Sequence, residues 1–361
     1  MEKYNNSRVL SQTHDAIRAA SDLYESIYLC ILKQQQIEVV DVALSKRDCQ
    51  IIMPTCSGKS ACFLLPGLVE RGITVVVSPL KSLMFDQINV SFGCVENDAN
   101  ATEFFIVEYG MLGVLRKCFP KVAIMALTGT ANLETQTKIS KSLSLQDPYT
   151  STTSCVRVNL KIELIKKSTS VHNFQIVTEM ISDSYMSYCG INYCSSRFEC
   201  ESLARHLVNA GFTAAPYHAG MTDVQRESFQ GNWMLGLCQI ICATNAFGRG
   251  VNKPNVKFIF DLPMPSSISS FYQECGRAGR DSSIASFVLL YQFYGHCYLQ
   301  HLINGKKIQE TRDAETRELK EMLSFCENSF DCRNALIANH LGEKHISCER
   351  DGLVLCEKMY C

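Results

Sequence analysis

Three consecutive residues, Gly58-Lys59-Ser60, concentrate the chemistry of this 361-residue chain. They fall between a β-rich run, "CQIIMP", and an apolar helical run, "ACFLLP". A loop in that position can cradle phosphate, because backbone N–H groups at a helix N-terminus face the anion. Lys59 would reach β- and γ-phosphates, and Ser60 would ligate Mg²⁺. Thr55, Ser57 and Gly58 complete the loop. Met53 stands where the strict pattern has its first glycine, so the match is to a relaxed form. A second chemical group is Cys332, Cys348, Cys356 and Cys361. Their four thiolates could close a tetrahedral structural Zn²⁺ site, with Cys326 as a reserve ligand.

A phosphate loop needs a strand to deliver it and a helix to receive it. The runs "CQIIM", "ITVVVS", "FFIV" and "VAIMAL" are short and β-rich, and helical stretches alternate with them. That alternation predicts α/β units around a parallel sheet. The polar run Asp147–Ser154 reads as a linker. A second α/β series follows, through "SYCGINYC", "LCQIICAT" and "VKFIFD", and from about Tyr298 the chain turns helical and charged. Residues 1–48 carry apolar residues mostly at helical spacing.

Composition narrows the class. Hydrophobic content of 46% and charged content of 20% suit a soluble globular protein. A net charge of −1 means that any nucleic-acid binding must come from local basic patches. The N-terminus lacks the apolar core of a signal peptide, and no apolar run has membrane-spanning length. An intracellular protein with no membrane partner is expected. Nineteen cysteines in a reducing compartment do not make a disulfide framework. Cys62, Cys238 and Cys242 sit in apolar runs and read as small core residues.

Several ordered runs resemble motifs of RecQ-like DNA helicases in superfamily 2. "MPTCSGKSACFLLP" and "VVVSPLKSLMFDQ" resemble motifs I and Ia, and "IMALTGTAN" resembles motif III. "GINYCSSRFECESLARHLVNAGFTAAPYHAGM" resembles motif IV and its sequel. "ICATNAFGRGVNKPNVKFIF" and "FYQECGRAGRD" resemble motifs V and VI. "LSFCENSFDCRNALIANHLGE" resembles the opening of the zinc-binding region. The wording is nearest to the Bloom-syndrome-type eukaryotic branch.

The resemblance implies two RecA-like parallel-sheet domains in tandem, the first incomplete, and a short helical, zinc-binding C-terminal segment. The expected divisions are an N-terminal helical extension over 1–31 and a first helicase domain over 32–147. A linker and first-strand region over 148–172, a second helicase domain over 173–298 and a zinc-binding subdomain over 299–361 follow. The implied activity is ATP-dependent 3′-to-5′ DNA unwinding in the nucleus, serving repair, recombination and replication. Gln36 would read adenine, with Lys33 in place of the usual arginine. Gln273, Arg277 and Arg280 would reach the γ-phosphate, Arg280 as the arginine finger. Ser78, Lys81, Arg197 and Thr244 would contact the backbone of single-stranded or forked DNA. His218 in "YHAG" matches a family residue, although such a histidine alone is more often packed than a ligand.

One part of the pattern is missing. The family carries an Asp-Glu-Ala-His box between motifs Ia and III, and this chain has no Asp-Glu dipeptide anywhere. Two alignments compete for "FFIVEYGMLGVLRKCFP". In one, Glu108 takes the metal-binding aspartate position. In the other, which explains the longer run, "EYGMLGVLRKCFP" matches the segment after the family's aromatic loop. An internal deletion removing the box is then expected. A working helicase, a hydrolysis-defective binding relative and the product of a degenerate or mis-spliced gene are the three readings this leaves.

Overall fold

A strand that is apolar on both faces belongs in the middle of a parallel sheet. Cys49–Ile52 (β1) is buried at every position and lies between two parallel partners, Met125–Thr128 (β4) and Tyr149–Thr152 (β5). In this computed structural model, residues 32–343 are described, apart from 55–56, 71, 78–99, 106–111, 130, 245–246, 248–250 and 252. The extension expected over 1–31 and the residue Glu108 lie outside them. The chain divides into two units, Ser154 closing the first and Cys155 opening the second.

In the first unit, helix α1 (Gln34–Leu44) is rich in β-branched residues, which are indifferent helix formers. Burial decides instead: Gln36, Val39 and Val40 form one inward stripe. Lys46, at φ 61°, turns the chain toward β1. After β1 and the phosphate loop, α2 (Lys59–Val69) buries Ala61, Cys62, Leu64 and Leu65. Two further strands, Gly72–Val77 (β2) and Asn100–Phe105 (β3), pair in parallel as a separate two-stranded sheet. Helix α3 (Gly113–Cys118) follows, with Arg116 as its buried residue. Helix α4 (Leu133–Leu143) is N-capped by the Asn132 side chain.

The run read as a linker corrects the expectation. Tyr149–Thr152 is a strand in register with β1, Cys49 facing Tyr149 and Ile52 facing Thr152. Its polarity fits a sheet edge, where one flank meets solvent, and tyrosine and threonine suit a pleated surface. The unit boundary accordingly falls after Ser154, not at 147.

At the base of this sheet lies a buried ion pair. Arg116, on α3, donates to Asp48 Oδ2 at 2.5 Å, and both side chains are largely buried. Asp48 also accepts from the amides of Ile124 at 2.8 Å and Gln146 at 2.7 Å. Arg116 donates further to the carbonyls of Pro120 and Val122. The carboxylate therefore fastens the chain just before β1, before β4 and before β5.

The second unit is a six-stranded parallel sheet in the order β6-β11-β10-β7-β9-β8. The strands are β6 (Leu160–Lys166), β7 (Cys189–Tyr193), β8 (Ala214–Tyr217), β9 (Ile240–Ala243), β10 (Val256–Asp261) and β11 (Ala285–Tyr291). From β7 the chain runs to β8 at the edge, returns to β9 and crosses to β10 on the other side of β7. Helices α5 (Ser170–Ser184), α6 (Arg197–Asn209), α7 (Asp223–Met234) and α8 (Ile268–Cys275) connect the strands. The core includes Val177, Leu203, Leu207, Ile240, Phe258 and Phe260, with Cys200 and Cys242 among them. Cys62, Cys238 and Cys242 are all buried, as small core residues should be. Burial pushes the Cys62 thiol up to about 12. Helices α9 (Phe293–Asn304), α10 (Gln309–Glu327) and α11 (Arg333–His340) follow. Among the described residues, no helix is long and apolar enough to cross a membrane.

The Asp48–Arg116 pair gives a direct test. Arg116→Leu leaves a buried carboxylate without its cation and should cost the first unit about 3–5 kcal/mol. The chain's single tryptophan, Trp233, lies in the second unit. In urea, the circular-dichroism transition should begin earlier in the variant while the Trp233 fluorescence transition stays in place. An unchanged pair of transitions would contradict the assignment.

Candidate functional site

The phosphate loop is built from both its flanks. Gly58 N-caps α2 at φ 82°, in the left-handed region that a Cβ disfavours by roughly 1 kcal/mol. Lys59 follows as the first helical residue, and its Nζ donates to the carbonyls of Met53 and Pro54, each at 2.9 Å. The ammonium is thus drawn back over the loop. Ser57 Oγ donates to the Pro54 carbonyl at 2.6 Å, tightening the same turn. Ser60 stands beside Lys59 in the first turn of α2, half-buried. Thr55 lies outside the described residues.

Gln36 is wired to this loop. It is 2% exposed, and its Nε2 donates to the carbonyls of Gly58 at 3.1 Å and Ser57 at 3.3 Å. Its Oε1 accepts the backbone N–H of Lys33 at 2.8 Å. The structure therefore brings Lys33, Gln36, Ser57, Gly58, Lys59 and Ser60 together. Gln35, unremarked in the sequence, joins β5 to the same helix. It donates to Ser151 Oγ and accepts from Thr153 Oγ1, both at 2.6 Å.

In the second unit the functional candidates gather where parallel strands end, the usual edge for ligands in open α/β sheets. Tyr193, Ala243 and Tyr217 are register partners on β7, β9 and β8. Just beyond them come Arg197, Thr244 and His218. Arg197 opens α6 and is exposed, with its guanidinium against Gly220: a Cβ there would lie 2.9 Å from Nη1. His218 is buried, its ring nitrogen 3.3 Å from Glu201 Oε1, which is the packed histidine that its type favours. Thr244 accepts the Phe247 amide and donates its own to Tyr217. Phe247 anchors this stretch between Tyr217 and Trp233, with Tyr193 OH on its carbonyl. Ser78 and Lys81 lie outside the described residues.

Gln273 sits exposed on α8, and Arg277 and Arg280 lie half-buried in the turn after it. Two residues that carried no signal in the sequence, Arg157 and Asn159, bond to the carbonyls of that turn. A fully buried carboxyl, Asp261, ends β10 beside Glu274. Cys332 is buried and N-caps α11, while Cys326 is buried on α10. Cys348, Cys356 and Cys361 lie outside the described residues, and those described do not assemble a metal site by themselves.

Three family models match. A DEAD/DEAH box helicase domain matches residues 33–108, a helicase conserved C-terminal domain 172–282 and a RecQ zinc-binding domain 297–359. The "RecQ-like DNA helicase BLM" of Xenopus laevis is 30% identical over 90% of this chain and 29% of its own length. The "ATP-dependent DNA helicase RecQ" of Pasteurella multocida is 32% identical over 86% and 58%, and that of Haemophilus influenzae 31% over 94% and 63%. The chain thus spans less than two thirds of these curated relatives. Among solved structures, a variant of S. cerevisiae dbp5 bound to gle1 and ip6 superposes with a TM-score of 0.61 at 12% identity. That match covers 83% of this chain and 96% of the other. Mycobacterium smegmatis helicase Lhr bound to ssDNA and AMP-PNP gives 0.58 at 13% identity, over 87% and 58%. At such identities these two establish the fold: tandem RecA-like parallel sheets.

Asp261 supplies a pH test. Burial, and then the neighbouring Glu274 charge, hold its carboxyl well above the ordinary range, with Lys167 pulling the other way. The fold therefore favours the protonated acid. That contribution to stability is complete below the unfolded carboxylate range and is lost as pH climbs through the raised value. Asp261→Asn stays neutral, so its melting temperature should gain on the wild type as pH rises from mildly acidic to mildly alkaline. A gap that does not change with pH would contradict this.

Proposed function

The chain belongs to the RecQ-like DNA helicases of superfamily 2, and from that membership we propose that it works as an ATP-dependent 3′-to-5′ DNA helicase. The observation that carries the proposal is the phosphate loop. A left-handed glycine, the Lys59 ammonium and the Gln36 amide converge on one strand-to-helix turn. That donor set fits a nucleoside triphosphate: N–H groups and an ammonium for phosphate oxygens, with the Ser60 hydroxyl for Mg²⁺. Bound there, the metal would neutralise phosphate charge. Lys59 holds the phosphates and Gln36 couples occupancy of the base position to the loop. Gln273, Arg277 and Arg280 are the second unit's candidates for sensing the γ-phosphate. Arg197 and Thr244, just beyond the ends of β7 and β9, are candidates for the DNA backbone, joined by Ser78 and Lys81.

The zinc-binding match, over 297–359, supports Cys332, Cys348 and Cys356 as Zn²⁺ ligands, with Cys361 beyond it as the fourth thiolate proposed from the sequence, and the eukaryotic relatives support a nuclear setting. The domain divisions proposed are those of the sequence, with the first boundary moved to Ser154. An internal deletion is also proposed. Alignment with the frog relative runs over 397 positions, more than this chain's 361 residues, although only 90% of the chain takes part. Gaps therefore open in this chain. No Asp-Glu pair is present to orient the attacking water; Lys59, Ser60 and the motif VI cations can stabilise phosphate charge but supply no carboxylate for that water, so slow hydrolysis is expected. The comparisons do not favour a hydrolysis-defective relative, since the matched proteins carry helicase names.

The test is phosphate release by the purified chain with and without single-stranded DNA. DNA-stimulated release is expected, falling at least about tenfold in Lys59→Ala and on the order of 10³-fold in Arg280→Ala. Binding of a non-hydrolysable analogue with no release would overturn the helicase reading in favour of a binding module.

A further inference from the structure

The turn that carries Arg277 and Arg280 is held from outside itself. Arg157 Nη2 donates to the carbonyls of Ala278 at 3.1 Å and Gly279 at 2.8 Å. Asn159 Nδ2 donates to the carbonyls of Gly279 at 2.9 Å and Ser283 at 2.7 Å. The two side chains also brace each other, Arg157 Nε on Asn159 Oδ1 at 3.3 Å. Asn159 is fixed in turn, because its carbonyl accepts the Ala285 amide at the start of β11. Gly279 lies at φ +60°, and a Cβ on it would stand 2.6 Å from Asn159 Nδ2. The close approach therefore demands glycine twice, for its conformation and for its lack of a side chain.

The same strap reaches the helix before the turn. Tyr272 OH donates to the Cys155 carbonyl at 2.7 Å, so residues 155–159 grip both α8 and the loop after it. Carbonyls 278 and 279 lie between the two arginines, and pinning them removes backbone freedom from both guanidinium groups at once. Cationic groups held in place before a reaction are worth more than mobile ones, since no reorganisation is left to perform.

We propose that Arg157 and Asn159 are positioning residues for Arg277 and Arg280, setting the backbone from which the two nucleotide-sensing cations extend. The inference rests on the nucleotide role given to those arginines above, but the clamp itself can be read without nucleotide. Hydrogen–deuterium exchange of the full chain is measured over residues 276–283 in the wild type, Asn159→Ala and Arg157→Gln. Affinity for a fluorescent ATP analogue is measured in parallel, with Lys59→Ala and Arg277→Ala as controls.

Loss of the clamp should speed exchange in that turn on the order of tenfold while the β10 and β7 amides stay protected. Analogue affinity should fall in Arg157→Gln as far as in Arg277→Ala. The double variant should be no weaker than either single one, because both remove the same positioned group. Arg157→Lys, which keeps a donor and the charge, should recover part of the loss. Unchanged exchange over 276–283, or fully additive losses in the double variant, would overturn the proposal. If Arg157→Gln does not fold, Asn159→Ser carries the same two readouts. If Lys59→Ala and Arg277→Ala both bind the analogue like the wild type, the nucleotide reading fails, and the exchange result still decides the clamp.

Discussion

The Asp48 carboxylate is the constraint on which the first unit depends. It takes a guanidinium from α3 and backbone amides from the approaches to β4 and β5. One side chain therefore gathers the lower ends of all three strands of the β4-β1-β5 sheet. The phosphate loop leaves the upper end of the middle strand. Its direction is set by β1, and β1 is held in register at its foot by this one group. A buried carboxylate carries a large desolvation cost unless it is fully bonded. Here that cost is offset only when α3, β4 and β5 are all in place, which makes the arrangement cooperative.

The second unit solves a similar problem with neutral donors and a cation. Its six-stranded sheet brings Arg197, His218 and Thr244 to the same end because β7 and β8 both pair in parallel with β9, which lies between them. The turn with Arg277 and Arg280 is tied to the start of β10, where the Gly279 amide donates to the Val256 carbonyl, and the strap from Cys155 to Asn159 adds side-chain bonds to its carbonyls. In both units the candidate chemistry sits on turns, and polar side chains from elsewhere in the sequence, Gln36 in the first and the half-buried Arg157 and Asn159 in the second, bond to those turns. Gln36 and Lys59, proposed to meet nucleotide, also bond to the loop backbone, whereas Arg157 and Asn159 fix a turn whose candidate side chains are others.

Separation along the chain explains what the sequence made legible. Gly58-Lys59-Ser60 was visible because strand, loop and helix are contiguous. Gln36 was visible only by resemblance, and its bonds to Ser57 and Gly58 supply the physical reason for its place. Tyr149–Thr152 was taken for a linker because its composition is polar, whereas its strand character comes from pairing with β1 and not from an apolar face. Arg116, Arg157 and Asn159 were silent because their partners lie 68, 121 and 120 residues away. No local pattern reports such a pairing. The cysteines divide by the same logic: those within apolar runs were recognisable as core, while the zinc assignment rests on resemblance.

The helicase activity proposed for this chain depends on a nucleotide cradle around Lys59 in the first unit. The most direct measurement is protection of Lys59 from an amine-acylating reagent by Mg·ATP, read by peptide mass spectrometry on the intact chain. Acylation of Lys59 should fall as ATP is added, while exposed lysines such as Lys138 react as before. Equal acylation of Lys59 with and without saturating ATP would contradict the account.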